Sequence, residues 1–399
     1  MRKITLLVLV ALLTLTITSM TTDAAAAAGS LDPTFGSGGV STITVPGNNA
    51  GVVNAAVLQP DGKIVVQGSF GVARVLPSGA IDTTFGAGGF ARAPGSDNFG
   101  AVALQSDGKI LVAGVGNTLT NTGFAVTRLN ANGSLDTTFG GTGTVVTNLG
   151  SPNVGEAILQ QQDGKILFGG TLIERIHYHT VLIRFNLDGS LDSNFGSGGV
   201  VNVIAISGVK QLALDLKGDI FVNNSQAIAE FSPSGTLLPQ VSPALLVRSS
   251  HGGPTVFLAN GEYIDAETVY VGTPRNRDLD GHVVRFTATG GIDSSFNSPT
   301  FDFIGEGGTD EFDTLQGVAI QTNGQVVVAG GHGNGQGQNL QGLARFNTNG
   351  SFDSTFGNGG IVTTNIAGAS AVVIQSDGKI VTVGVGNNTA LVLARYLAQ

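Results

Sequence analysis

GSLDTTFGGTG, residues 133–143, decides the fold, because near copies recur as GSLDPTFGSGG from 29, GAIDTTFGAGG from 79, GSLDSNFGSGG from 189 and GSFDSTFGNGG from 350. Each copy carries a turn glycine, one carboxylate, a phenylalanine three residues after it and a closing pair or triplet of small residues. A second string, LQPDGKIVVQG at 58–68, returns from 104, 161, 214, 258, 320 and 374. A third, VLIRFNLDG at 181–189, returns around Arg74, Arg128, Glu230, Arg285, Arg345 and Arg395. Seven copies spread over residues 29–399 give a period of about 53 residues, the mark of a repeat architecture.

Each unit reads as four short strands without a helix. AVALQ alternates into the turn DGK, where aspartate tolerates the bend and glycine supplies a positive φ, and ILVAG runs back. FAVTRLN forms a third strand, and ANGS turns it into a fourth that begins near the phenylalanine and continues through GTVVTN. Glycine holds the second turn at Gly79, Gly133, Gly189, Gly235, Gly290 and Gly350, where a left-handed backbone would cost a side chain about 1 kcal/mol.

The expected fold is therefore all-β: a seven-bladed β-propeller of four-stranded antiparallel blades. Residues 29–45 supply a fourth strand without predecessors, and LVLARYLAQ at the other end is a third strand without a successor. Residues 39–45 are expected to complete the last blade and close the ring, hiding an open edge. An open β-solenoid is the alternative, although its ends would need atypical caps.

The LQPDGKI and R[LF]N.DGSLD..FG.GG strings resemble the delta-60 repeat of secreted bacterial proteins, over nearly all of the chain from residue 29. The resemblance implies a β-propeller in exported or cell-surface proteins, and neither an activity nor catalytic residues. The fourth unit departs most from it, with FSPSGTLLPQVSP, and the fifth carries extra residues, so the strand register over 205–285 is open.

In every complete unit the aspartate follows the arginine by eight positions: Arg74 and Asp82, Arg128 and Asp136, Arg184 and Asp192, Arg285 and Asp293, Arg345 and Asp353. Across a tight turn that spacing brings guanidinium and carboxylate together. The fourth unit has Glu230 and Leu238, losing both members at once, as a paired role requires. Arg395 has no aspartate after it, and Asp32 fills the vacancy if the ring closes. These pairs are read as structural, with Phe35, Phe85, Phe139, Phe195, Phe296 and Phe356 packing between blades. The competing reading is a ring of acidic groups that binds cations.

The stereotyped turns share one face of such a ring, and the variable loops collect on the other, where binding usually resides. Those loops include GVGNTLTNTG at 114, GGTLIERIHYHT at 169, EGGTDEFDTLQ at 306 and GGHGNGQGQNLQG at 330. Glu174, His177, His179, His251, His282 and His332 fall in or beside them and are the candidate ligand-binding residues. His177 and His179, two apart on a strand, would share one face and could chelate together. His251, His282 and His332 come from other blades, and ordinary loop residues are the competing reading. RDLDGH at 277 lacks the alternating carboxylates and closing glutamate of a calcium loop.

Composition narrows the function further. The chain is 41% hydrophobic and 12% charged, with 61 glycines, which suits a packed, turn-rich β protein. Its net charge of −9 disfavours nucleic acid and anionic membrane surfaces as partners. With no cysteine, disulfides, thiolate metal sites and cysteine nucleophiles are excluded. No GxSxG, phosphate loop or HExxH is present, and no cofactor or metal is expected. Without tryptophan, and with four tyrosines, aromatic sugar platforms are scarce.

Residues 1–28 read as a signal peptide: Arg2 and Lys3, the apolar ITLLVLVALLTLTIT, then TTDAAAAA, with cleavage between Ala25 and Gly29. Residues 29–399 are then expected to form one secreted, monomeric propeller domain, extracellular or periplasmic, with display at the cell surface as the alternative. The expected function is a non-catalytic binding or scaffold module for a protein, peptide or glycan on the variable-loop face. The alternatives are a hydrolase or lyase whose central pocket holds Glu174, His177 and His179, and a surface adhesion component.

Overall fold

The computed structural model describes residues 26–48, 50–94, 100–117, 122–150, 152–174, 177–204, 208–224, 228–239, 249–251, 253–258, 260–273, 276–289, 291–303, 313–333, 339–386 and 389–399. Seven antiparallel sheets follow one another along the chain and form the blades of a β-propeller. Blade 3 shows the full pattern: Pro152–Gln160 innermost, then Ile166–Glu174, His177–Phe185 and Val200–Val203 outermost. Blade 7 is built from Ala369–Ile374, Ile380–Gly386 and Ala390–Tyr396, and its outermost strand is Val40–Thr44 from the other end of the chain. Val40 pairs with Ala394 and Thr44 with Ala390, so the ring is closed by main-chain hydrogen bonds.

Two blades differ from the expected four strands. Blade 4 has three among the described residues, Gln211–Leu214, Ile220–Asn223 and Ile228–Phe231. Blade 5 has five, because its inner strand is split into Ser249–His251 and Thr255–Phe257, both paired with Tyr263–Thr273. The fourth strand also starts later than the sequence suggests. In blade 2 it runs over Thr144–Thr147, while Phe139 lies in the loop before it. Gly140, Gly141 and Gly143 all have positive φ, so the chain folds back on itself before it can extend.

That loop explains the repeated string. Each arginine puts Nε 2.7 to 2.9 Å from Oδ2 of its aspartate, at Arg74–Asp82, Arg128–Asp136, Arg184–Asp192, Arg285–Asp293, Arg345–Asp353 and, through ring closure, Arg395–Asp32. The guanidinium carbon lies 4.4 to 4.9 Å above the ring centre of the phenylalanine that follows the aspartate by three, from Phe35 to Phe356. Nη1 then donates to a turn carbonyl of the next blade: Ala131, Leu187, Pro233, Thr348, Ala398 and Pro77 in turn. One arginine thus ties its own loop and the neighbouring blade.

The phenylalanine completes the clasp from below. Phe85 is fully buried beneath the turn of blade 2, where a Cβ on Gly133 would lie 3.0 Å from its ring and 2.7 Å from Gly86 N. Gly133 has φ of 86°, so both the backbone and the close approach require glycine there. Burying one such ring contributes about 1.5 to 3 kcal/mol. Apolar faces of adjacent blades fill the remaining space, as where Leu111 and Phe124 of blade 2 meet Phe168 and Ile183 of blade 3.

Blade 4 contributes no clasp to blade 5. Glu230 stands where the arginine would be and Leu238 replaces the aspartate, yet Leu238 N still donates to Glu230 O at 2.8 Å, just as Asp136 N does to Arg128 O at 2.9 Å. The turn therefore forms without the clasp, and what the clasp adds is the link between blades. Arg128→Ala should lower unfolding free energy by about 3 kcal/mol, because it leaves buried Asp136 with only Lys109, at 3.3 Å, and Thr138 as partners and removes the tie to Leu187 of the next blade. Arg128→Ala with Asp136→Ala should cost less than the sum of the singles. Glu230→Ala should stay within about 0.5 kcal/mol of the native protein, all by urea denaturation.

Candidate functional site

Inner strands start at the variable-loop face, so their first residues encircle the axis there. All seven blades contribute to one cavity of about 470 Å³, through Asn54, Gly100, Glu156, Gln211, Pro254, Gln316 and Ser370, with Lys210, Thr268 and Thr314 between them. Lys210 Nζ lies 3.0 Å from Glu156 Oε1, and Thr171 Oγ1 donates to Glu156 Oε2 at 3.1 Å. Asn54 adds a buried amide nitrogen with no partner. The rest of the wall is uncharged and mixes amide and hydroxyl groups with the apolar Val53, Pro254 and Leu315, suited to a small polar ligand with donors and acceptors of its own.

The six candidates from the sequence do not line this cavity. Glu174 and His177 are exposed and face each other across the tip of blade 3, and His179 is buried two residues further in, with Nδ1 unpartnered. Glu174, His177 and His179 therefore do not form a central pocket, which corrects the expectation of one. His332 is buried in blade 6 opposite Asp313, with Nδ1 3.3 Å from Gly333 O. His251 pairs through its main chain with Thr268, and His282 sits within Asn276–Phe286 opposite Glu267 rather than in a loop. Among the described residues no group of three or more His, Asp or Glu could hold a metal. The loop tips at 118–121, 175–176, 304–312 and 334–338, which hold all of GTDEFD except Asp313, lie outside the described residues.

Sequence reasoning missed a second feature beside the cavity, in the seam where the clasp is lacking. Asp265 and Glu267 are two apart on the second strand of blade 5, so both face blade 4. Thr255 Oγ1 donates to Asp265 Oδ1 at 2.9 Å and receives a hydrogen bond from Asn223 Nδ2 of blade 4. Thr255 N donates to Oε1 of the cavity residue Gln211 at 2.6 Å, linking the pair to the cavity wall. Glu267 is 5% exposed and its Oε2 has no partner. Asp265 keeps some accessible surface although protein surrounds it on nearly all sides.

Burial, and then the charge of Glu267, push the Asp265 carboxyl well above its usual range, and burial pushes Glu267 up as well. The two carboxyls interact and together keep a proton that ordinary carboxylates have lost. Across the strand pair, burial pushes His282 down despite its hydrogen bond to the Ser298 backbone, and Nδ1 is buried without a partner. The clasps behave in the opposite way. Burial raises Asp136, but hydrogen bonds from the Thr138 hydroxyl and amide, the charge of Arg128 and a hydrogen bond from Lys109 outweigh it and bring it to about 2.

Four stretches, 59–85, 105–139, 161–195 and 321–356, match the family model described as a domain of unknown function (DUF5122) beta-propeller. They fall in blades 1, 2, 3 and 6 and run from the first turn through the clasp, so family model and fold agree on a β-propeller built of repeats. No curated protein matches the chain. Among solved structures, it is similar to the extracellular domain of BT4673 from B. thetaiotaomicron at 11% identity and a TM-score of 0.47, covering 90% of this chain and 40% of that one. It is similar to AFV00434, an ancestral GH74 enzyme, at 12% identity and a TM-score of 0.44, over 82% and 40% of the two chains. The gluconolactonase XC5397 from Xanthomonas campestris follows at 13% and 0.33, over 53% and 68%. At these values none of the three assigns a function to this chain.

The two kinds of carboxylate predict opposite limbs of a pH profile. A clasp aspartate is depressed in the folded state, so its stabilisation is complete above the unfolded range near 4 and is lost as pH falls toward 2. The seam pair holds its proton in the folded state, so stability falls as pH rises from about 4, by up to about 1.4 kcal/mol per pH unit. Urea denaturation of Asp265→Asn/Glu267→Gln between pH 2 and 8 should show that fall removed and the acid limb unchanged. An unchanged slope would contradict the shared proton.

Proposed function

We propose that the protein is a secreted, non-catalytic β-propeller binding module of the delta-60 repeat type, which takes a peptide or glycan at the central cavity of its variable-loop face. The observation that carries this reading is the cavity wall, which draws residues from all seven blades and hydrogen-bonding or charged side chains from six of them. The opposite face offers the same turn over and over, DGK with its local Asp–Lys contact and the clasped NGS, which suits scaffolding rather than discrimination.

Export is inferred from the leader-like sequence, which lies outside the described residues up to 25. The packed chain begins one residue ahead of the expected boundary at Gly29, because Ala28 is buried and its carbonyl accepts from Gly357 N at 2.9 Å. Cleavage that leaves the fold intact therefore falls before Ala28, and N-terminal sequencing of exported protein checks this.

A peptide and glycan array read against variants tests the site. Lys210→Ala or Gln316→Ala should weaken any specific ligand about tenfold, the value of one or two lost hydrogen bonds to a charged or buried group. A ligand unaffected by both, with its footprint on the DGK and NGS turns, would overturn the proposal.

A further inference from the structure

Counted from the glycine of each first turn, the fourth residue is Val66, Val112 or Phe168 in blades 1 to 3, and Asp265 in blade 5. The sixth is Gly68, Gly114, Gly170, Gly330 or Gly384 in five blades, and Glu267 in blade 5. The glycine has a steric reason, since a Cβ on Gly330 would stand 1.8 Å from Thr314 O of its own inner strand. Blade 5 accommodates Glu267 by interrupting that strand between His251 and Thr255. There a Cβ on Gly253 would stand 1.6 Å from Ala266 O, so the glycine has moved to the other strand.

Six blades therefore keep this position small or uncharged, while one rebuilds its backbone to hold two carboxylates. Hydrogen bonds from Thr255 and the Ala266 backbone to Asp265 offset only part of the burial. Among the described residues neither carboxylate has a cationic partner, Glu267 Oε2 accepts nothing, and His282 Nδ1 opposite it is also unpartnered. A fold departs from its own local rules mainly where function requires it.

We propose that Asp265 and Glu267 anchor a positively charged, hydrogen-donating group, a primary ammonium or guanidinium, carried by the ligand of the central cavity. The proposal rests on the reading of that cavity as the binding site. Gly253 and Pro254 of the interrupted region and Thr268 next to Glu267 line the cavity, the two carboxylates lie directly behind that wall, and Gln211 joins it to Thr255 and so to Asp265. An N–H donor answers the orphaned Glu267 oxygen, and a cation answers the charge that the pair retains. A metal ion fits less well, because no three ligating side chains converge among the described residues. Lysine or arginine side chains of a peptide, or a polyamine, carry the required chemistry.

Calorimetric titration of the full chain with agmatine and with spermidine tests this, with glucose as the neutral probe. Saturable amine binding is expected, weakened at least tenfold by Glu267→Gln and lost in Asp265→Val/Glu267→Gly. The double variant restores the residues of the other blades and should melt no lower than the native protein, so its loss of binding is not a loss of fold. Absent amine binding, or binding unchanged in both variants, overturns the anchor. If a glycan or neutral peptide binds instead, sensitive to Lys210→Ala and insensitive to Glu267→Gln, the cavity reading stands and the cationic anchor falls.

Discussion

The structure depends on one arginine used three ways at each clasped seam. It pairs with an aspartate, lies over a phenylalanine and donates to the next blade. A closed ring has no capping repeat, so every seam must be held by neighbours of ordinary sequence. A buried ion pair adds little net stability, but losing one member leaves an uncompensated charge, and this explains why the fourth unit has lost both members together.

Six clasps and one bare seam make the ring unequal. Where blade 4 meets blade 5, the tie between turns is absent and the interior is polar, through Asn223, Thr255, Asp265 and Glu267. Burial of Tyr263 in the same seam pushes its hydroxyl far up its range, so the surroundings are dry despite that polarity. The missing clasp and the buried carboxyls therefore occupy the same wedge, the one that carries the strongest departure from the repeat.

Much of the fold was legible because the repeat states it several times. The turn glycines, the eight-residue spacing of arginine and aspartate, and the complementary chain ends are local or periodic signals, and each copy reinforces the others. The start of the fourth strand was misread because Phe139 looks like a strand residue, whereas the glycines after it fold the chain back first. The site was hardly legible. YIDAE reads as a strand that departs from its repeat, and only the pairing of Glu267 with His282 and the gap around Gly253 reveal where its carboxylates go. The histidines misled because a loop-rich face collects polar residues from every blade, and common membership of a face is not convergence. A count along the repeat does single out Glu267 as the acid in a glycine position, which is the signal that was available.

The central claim is that clasps, rather than covalent continuity, set the strength of each seam. Native-state hydrogen exchange measures it most directly. Amides of Ile228–Phe231 in blade 4 and Thr255–Phe257 in blade 5 should exchange through the lowest-energy opening of the ring, ahead of Val40–Thr44, which is held to Ala390–Ala394 without a covalent link but beside the Arg395–Asp32 clasp. Exchange that begins at Val40–Thr44, or that proceeds at one free energy around all seven blades, would contradict the account.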